Sequence, residues 1–261
     1  MNKESFALVT GASSGIGKEI SKQLASKGIN LILISRKKNQ LEELKNFIQT
    51  QNNVSVKIIA ADLSIIGASE DIFDRLNKEK IKVNTLVNNA GAASYGKFTE
   101  TEFEVETNLL HLNIISIVQL TKLLLPKMIE DKEGKILNIA STAAFRAGPL
   151  MATYCAAKAF VLSFSEALSQ ELKGTGISVT TVCPGATDTG FAKAAGMENL
   201  FYFKKMNLAS AKTVAEFSIN SMMNKKVVAV QGLRNKVILF LTKILPRNFV
   251  NKITHRVRKN N

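Results

Sequence analysis

Tyr154 and Lys158 stand four residues apart at the head of an Ala-rich apolar segment, Tyr-Cys-Ala-Ala-Lys-Ala-Phe-Val-Leu. On a helix that spacing puts both side chains on one face, with Cβ atoms about 5–6 Å apart. A free tyrosine titrates at about 10 and is protonated at neutral pH. A neighbouring ammonium favours the phenolate and lowers that value by roughly 1–3. A phenol tuned this way can hand a proton to a substrate oxygen and take it back. Ser141 follows an apolar run, Lys135 to Ala140, that reads as a strand, and its hydroxyl is placed to hydrogen-bond the same oxygen. Taken alone, a Tyr and a Lys at this spacing are an ordinary solvated pair. The pair needs company.

That company begins at the N-terminus. A short apolar strand, Phe6 to Val9, runs into Thr10-Gly11-Ala12-Ser13-Ser14-Gly15-Ile16-Gly17, and a helix is predicted over 18–27. The glycines let the backbone approach a ligand, and the free N–H groups of the helix start attract phosphate. A P-loop is the rival, and it fails: Ala12 stands where its first glycine belongs, and Glu19 follows Lys18. The spacing also departs from G-x-G-x-x-G. Gly28 closes the helix. The next strand, Asn30 to Ser35, ends in Arg36-Lys37-Lys38, with no acid before Glu42. Dinucleotide-binding folds hold a free ribose 2′-OH with an acidic residue here. Arg36 can instead clamp a 2′-phosphate bidentately, which favours NADP over NAD. The plain alternative is a solvated basic turn.

Further along, a helix over 41–49 and a strand over 54–60 lead to Asp62, placed to bond an adenine amino group, and Leu63. A helix over 69–76 precedes a strand over 85–88 that runs into Asn89-Ala90-Gly91, a turn expected to hold the strand edge open. A long helix over 102–128 contains Pro126 and, within an apolar run, Asn113. A buried amide there is costly unless partnered. His111 is read as a surface residue, and no metal site is proposed because neither histidine has ligand company. The helix carrying Tyr154 runs to about 173, and a strand follows over 177–182. The chain then leaves the sheet through Cys183-Pro184-Gly185-Ala186-Thr187-Asp188-Thr189-Gly190. The segment from 191 to about 207 is expected to cap a substrate. Ser210 N-caps a helix to 224, and 227–230 is a last strand. Strands alternating with helices imply a doubly wound parallel sheet covered on both faces. Ligands then bind at the carboxyl ends of its strands.

With 261 residues, 46% hydrophobic and 21% charged, the chain suits a single α/β domain. The start leads almost directly into a strand, leaving no room for a signal peptide. No uninterrupted apolar run approaches the ~18–20 residues of a membrane span. Cys155 and Cys183 form no metal or redox pair, and a reducing cytoplasm fits. The net charge of +14 is uneven: residues 217–261 hold ten Lys and Arg and no Asp or Glu. The chain therefore divides into a body, 1–232, and a basic helical extension, 233–261. Val237, Ile238, Leu241, Ile244 and Leu245 recur there at helical spacing, with Lys236, Lys243 and Arg247 beside them. Such a helix can lie on an anionic membrane surface, which would make the protein peripheral on the inner face of the membrane. The alternative is that its apolar face packs on the body or on another subunit. With little aromatic interleaving and no recognition motif, a nucleic-acid partner is not expected.

Together these motifs resemble the classical short-chain dehydrogenase/reductase family over residues 8–230, most closely a bacterial branch near ketoacyl and steroid reductases. The matches are Thr10-Gly11-x3-Gly15-x-Gly17, Asn88-Asn89-Ala90-Gly91, Ser141, Tyr154-x3-Lys158, and Pro184-Gly185 followed by Thr189. Ala140 and Ala157 depart from common family choices without removing a catalytic group. The resemblance implies a Rossmann-type fold with a seven-stranded sheet and NAD(P)-dependent interconversion of a ketone or aldehyde with an alcohol. It makes Tyr154 the acid/base, Lys158 the group that lowers its pKa and holds the nicotinamide ribose, and Ser141 the carbonyl polariser. Asn113 would anchor a relay water and Thr189 would bind the nicotinamide carboxamide. The cofactor would lie along Gly11, Ser13, Ser14, Gly15, Ile16 and Gly17, then Arg36, Asp62, Leu63, Asn89, Ala90 and Gly91, then Tyr154 and Lys158, and finally Pro184, Gly185, Thr187 and Thr189. A homo-oligomer, dimer or tetramer, is also implied. A rival function on the same fold is a non-catalytic dinucleotide sensor, and the intact Asn113, Ser141, Tyr154 and Lys158 argue against it.

Overall fold

Strand residues alternate between two apolar environments, and this dictates the layering. On β1 (Ser5–Thr10), Ala7 and Val9 point to one face and Leu8 to the other. On β2 (Asn30–Ser35), Leu31 and Leu33 share the first face, Ile32 and Ile34 the second. Side chains alternate with period two along a strand, so a strand apolar at every position must be covered twice. The computed structural model, which describes residues 5–197 and 208–259, shows this three-layer arrangement.

Helices α1 (Gly15–Ser26) and α2 (Lys38–Gln51) cover the first face through Ile20, Leu24, Leu41 and Ile48. α3 (Ala68–Lys78) covers the second through Ile72 and Leu76. Between and after them run β3 (Val56–Ala60), β4 (Lys82–Asn88) and β5 (Gly134–Ile139). A long rod on the second face comprises α4 (Phe103–Leu110), a π-helical turn His111–Ile115 and α5 (Ser116–Glu130). α6 (Ala152–Glu171) follows a 3-10 turn, Thr142–Phe145, and leads to β6 (Ile177–Cys183). β7 (Thr187–Asp188) and β8 (Ala209–Ser210) form a separate short parallel pair, and among the described residues between them is a one-turn helix, α7 (Phe191–Ala194). α8 (Ala211–Met223) returns to the first face, its N-terminus capped by Ser210, whose Oγ accepts from the Thr213 N–H. β9 (Val228–Val230) completes the sheet, and α9 (Leu233–Ile244) and α10 (Arg247–Lys259) follow.

The main sheet has seven parallel strands in the order β3-β2-β1-β4-β5-β6-β9, the Rossmann-type arrangement expected. Strand order reverses between β1 and β4, where Val9 pairs with Val87. A crevice opens outside the carboxyl ends of such a pair.

One expectation is refined. The long helix is not regular throughout, because a π turn interrupts it around Asn113. It is also, by length and composition, apolar enough to cross a membrane over Phe103–Glu130, which the residue runs did not suggest. Its Leu120, Leu124 and Met128 pack with Leu8, Ile32 and Leu86 of the sheet, as a core helix would.

Candidate active site

A left-handed turn starts the site. Gly11 (φ 64°) and Gly15 (φ 53°) occupy backbone conformations that a side chain disfavours. Gly17 serves a different need: a Cβ there would come 2.4 Å from Gly11 O and from Asn89 Nδ2. Asn89 braces the turn, donating from Nδ2 to Thr10 O (3.0 Å) and Gly11 O (3.3 Å). Thr10 Oγ1 in return accepts from the Asn89 and Ala90 N–H groups, both at 3.0 Å. The Gly11 and Asn89 motifs, 78 residues apart, are thus one structure. No side chain caps α1, so its first-turn N–H groups remain available to an anion.

At the opposite end of the crevice β5 delivers Ser141 and α6 delivers Tyr154 and Lys158. Ser141 caps the 3-10 turn, its Oγ accepting from Ala143 N–H at 3.1 Å, which leaves its own proton to donate. Lys158 is buried; its Nζ donates to Ile139 O at 2.9 Å and lies 5.9 Å from the Tyr154 ring centre. Burial pulls the Lys158 pKa down to about 8. The Cys183 thiol nearby is pushed up to about 12, chiefly by burial, and is chemically quiet. The cost of burying Asn113 is offset by pairing with one backbone unit: Oδ1 accepts from Ala92 N–H (2.9 Å) and Nδ2 donates to Ala92 O (2.8 Å). Gly91 fits between these groups, since a Cβ on it would lie 3.1 Å from Asn113 Oδ1 and 3.5 Å from Lys158 Nζ. Below, Asn88 donates to Asn138 (2.9 Å) and Asn138 to Ser165 Oγ (2.8 Å), a buried chain that ties β4, β5 and α6 together.

One cavity of about 620 Å³ joins both ends. Its wall includes Gly11, Ser13, Ser14, Gly15 and Ile16 at one end, and Ser141, Tyr154 and Lys158 at the other. Between them lie Arg36, Asp62, Leu63, Asn89, Ala90 and Gly91, with Pro184, Gly185, Thr187 and Thr189 across the crevice. Gly17 and Asn113 are the two expected site residues that do not line it; they support the wall from behind. Arg36 Nη1 sits 3.5 Å from Asp62 Oδ2. Burial raises the Asp62 pKa, but hydrogen bonds from Ser64 and the Arg36 guanidinium outweigh it and leave the carboxyl below its usual value.

The fit of these residues to the short chain dehydrogenase family model extends over residues 5–200. The chain belongs to the short-chain dehydrogenase family. Very-long-chain 3-oxoacyl-CoA reductase of Anas platyrhynchos is 39% identical over 194 residues, 72% of this chain and 61% of that protein. The 17-beta-hydroxysteroid dehydrogenase type 3 of Mus musculus is 39% identical over 193 residues, 72% of this chain and 62% of that protein. The chain thus spans about three-fifths of the length of these relatives. Among solved structures, a short-chain dehydrogenase from Sphingobium yanoikuyae in complex with NADPH superposes with a TM-score of 0.84. It is 27% identical, and 98% of each chain is covered.

Other residues of the cavity wall were not singled out from the sequence. Lys37 and Gln40 flank Arg36, and the basic run 36–38 was the available signal for the former. Arg146, Met151 and Leu112 also line the cavity. Phe191 and Met197, from the segment expected to cap a substrate, also line it, and Phe191 lies 5.7 Å from Tyr154 between ring centres. Residues 198–207 of that segment lie outside the described residues. Less expected still, α9 and α10 contribute Arg234, Ile238, Leu239, Ile253 and Thr254. The division at 232 therefore separates elements that share one cavity.

Proposed function

We propose that this protein is an NADP(H)-dependent oxidoreductase that interconverts a lipophilic ketone or aldehyde and its alcohol, with Tyr154 as the proton donor and acceptor. The observation that carries this reading is the single cavity with a glycine turn and Arg36 at one end and Ser141, Tyr154 and Lys158 at the other. The cradle fits a dinucleotide: glycines line it where side chains would intrude, and a Cβ on Gly15 would already meet Thr189 at 3.1 Å. Hydride transfer is the chemistry that NADP(H) would supply when held in this cradle. Arg36, aided by Lys37, would hold the 2′-phosphate, while Ser13 to Ile16 would offer backbone N–H groups to the pyrophosphate. Ser141 donates a hydrogen bond to the carbonyl oxygen, and Tyr154 transfers its phenolic proton to the same atom as the alkoxide forms. The Lys158 ammonium favours the phenolate that remains, and Asn113 fixes the Ala92 backbone beside it.

The substrate end supports a lipophilic carbonyl compound, being walled by Leu112, Met151, Phe191, Met197 and Leu239. Relatives named for 3-oxoacyl-CoA and hydroxysteroid substrates point the same way. A homo-oligomer is supported by Ile115 and Phe160, partly exposed on the adjoining π turn and α6.

A panel of bulky ketones and 3-oxoacyl thioesters with NADPH, followed by loss of nicotinamide absorbance, tests the reading. Turnover of at least one apolar carbonyl compound is expected. Binding of NADPH without turnover of any would favour a dinucleotide sensor instead.

A further inference from the structure

The apolar stripe of α9 faces outward. Leu233, Val237, Phe240, Leu241 and Ile244 fall at i, i+4, i+7, i+8 and i+11, one side of a helix. Val237, Phe240 and Ile244 are 50%, 63% and 66% exposed, whereas the inward side presents Asn235, Thr242 and the buried Leu239. This is the reverse of a helix covering a core. Asn235 explains the orientation, since its Nδ2 bonds Gln231 O at 2.7 Å and the side chain fills the space a Cβ on Gly185 would need. Leu245 then turns extended before Pro246, as residues preceding proline do, and α10 adds the exposed Phe249 and Ile253.

We propose that the outer face of α9 and α10 docks the protein on an anionic lipid surface, with the cavity mouth at that surface. Charge selects the occupant. Arg234 and Lys236 flank the stripe on α9, Lys252 and Arg256 are exposed on α10, and residues 217–261 contain no acid to neutralise them. Apolar residues rimmed by cations match an acyl boundary beneath anionic headgroups. A second copy of the chain meeting this face across a two-fold axis would oppose cations to cations. The cavity gives the arrangement a use. Ile238 and Ile253 line it while 37% and 46% exposed, so its wall reaches the docking face. A lipophilic substrate can pass between bilayer and Tyr154 without crossing water; this part rests on the substrate reading above.

Co-sedimentation of the full chain with vesicles of phosphatidylglycerol and phosphatidylcholine, against phosphatidylcholine alone, tests the docking. Binding to the anionic vesicles at low salt is expected, weakened roughly tenfold or more by the double substitution Lys236→Glu/Arg247→Glu and by Phe240→Glu/Ile244→Glu. Neither pair lines the cavity, so turnover of a water-soluble ketone should be unchanged, while turnover of a vesicle-dissolved one should fall. The proposal is overturned if the full chain stays in solution, or if the variants bind as well as the parent. It is equally overturned if the parent is a dimer that Phe240→Glu/Ile244→Glu splits and neither form binds vesicles. Vesicle binding in a protein that reduces no ketone would leave docking standing and remove the reductase reading.

Discussion

Lys158 Nζ lies 5.9 Å from the centre of the Tyr154 ring while it donates a 2.9 Å hydrogen bond to Ile139 O. One turn of α6 sets the spacing, and the last carbonyl of β5 sets the direction. The ammonium is thereby held beside the phenol, and among the described residues no carboxylate forms an ion pair with it. Its pKa of about 8 leaves it charged at neutral pH and sensitive just above.

In the proposed reaction the phenol serves proton transfer, whereas the dinucleotide cradle is built mainly from other residues. Tyr154→Phe should therefore abolish carbonyl reduction while the affinity for NADPH, measured by fluorescence titration, changes little. General acid catalysis contributes about 10²–10⁴-fold, so a drop of that order in kcat is expected. A Phe variant with parental kcat would remove Tyr154 from the mechanism.

Holding Lys158 charged in the interior weakens the fold. Burial lowers its pKa from 10.5 to about 8, and at about 1.4 kcal/mol per pKa unit the penalty is roughly 3 kcal/mol. The unfolded chain keeps this proton up to 10.5, and the folded chain releases it near 8. The penalty is therefore complete below pH 8 and fades as pH rises to 10.5. Cys183 acts oppositely above pH 9, because folding raises its pKa from 9.0 to about 12. Between pH 8 and 9 Cys183 does not yet oppose the lysine. Lys158→Met should thus be more stable than the parent at pH 7 by about 1–2 kcal/mol, after roughly 1 kcal/mol is lost with the Ile139 hydrogen bond. Urea unfolding at stepped pH should show that advantage shrinking from pH 8 upward, and a gap independent of pH would refute the argument. The same variant should be inactive.

Arg36 is exposed and only loosely paired with Asp62, at 3.5 Å, so it is free to turn to a phosphate. Arg36→Asp should reverse the cofactor preference. A charge-assisted hydrogen bond contributes about 1.5–3 kcal/mol, so kcat/KM with NADPH should fall tenfold or more while that with NADH holds or rises. Equal use of both cofactors by the parent enzyme would show that Arg36 does not discriminate.

Much of this site was legible because local chemistry and fold agree. β2 spans Asn30–Ser35 as read, since its apolar run is bounded by Gly28 and a basic turn. Residues of the five motifs meet in one crevice because a parallel sheet brings its carboxyl ends together. What escaped depends on distant partners. The π turn at Asn113 is held by the backbone of Ala92, which no local pattern announces. In α9 the stripe was visible but its direction was not: the same periodicity suits a core or a bilayer, and Asn235 against Gly185 decides. The Asn88–Asn138–Ser165 chain is likewise a tertiary fact.

Two glycines should separate cofactor binding from chemistry. Neither has a left-handed φ, so only space is at issue. A Cβ on Gly17 would meet Gly11 O, a backbone atom, at 2.4 Å, and the phosphate turn must shift to admit it. A Cβ on Gly91 meets only side-chain atoms, Asn113 Oδ1 at 3.1 Å and Lys158 Nζ at 3.5 Å. Gly17→Ala should therefore lose NADPH affinity and stability together. Gly91→Ala should keep NADPH affinity within a few-fold but displace Asn113 or Lys158, lowering kcat by about tenfold or more, as misplacement near reacting groups does. A Tm drop consistent with about 1–3 kcal/mol would accompany loss of the Asn113–Ala92 pairing. Gly91→Ala/Asn113→Ser removes the crowding but also the Ala92 pairing, so neither stability nor kcat should recover if Asn113 positions the site. Full recovery of kcat in that double variant would reduce Asn113 to a packing residue.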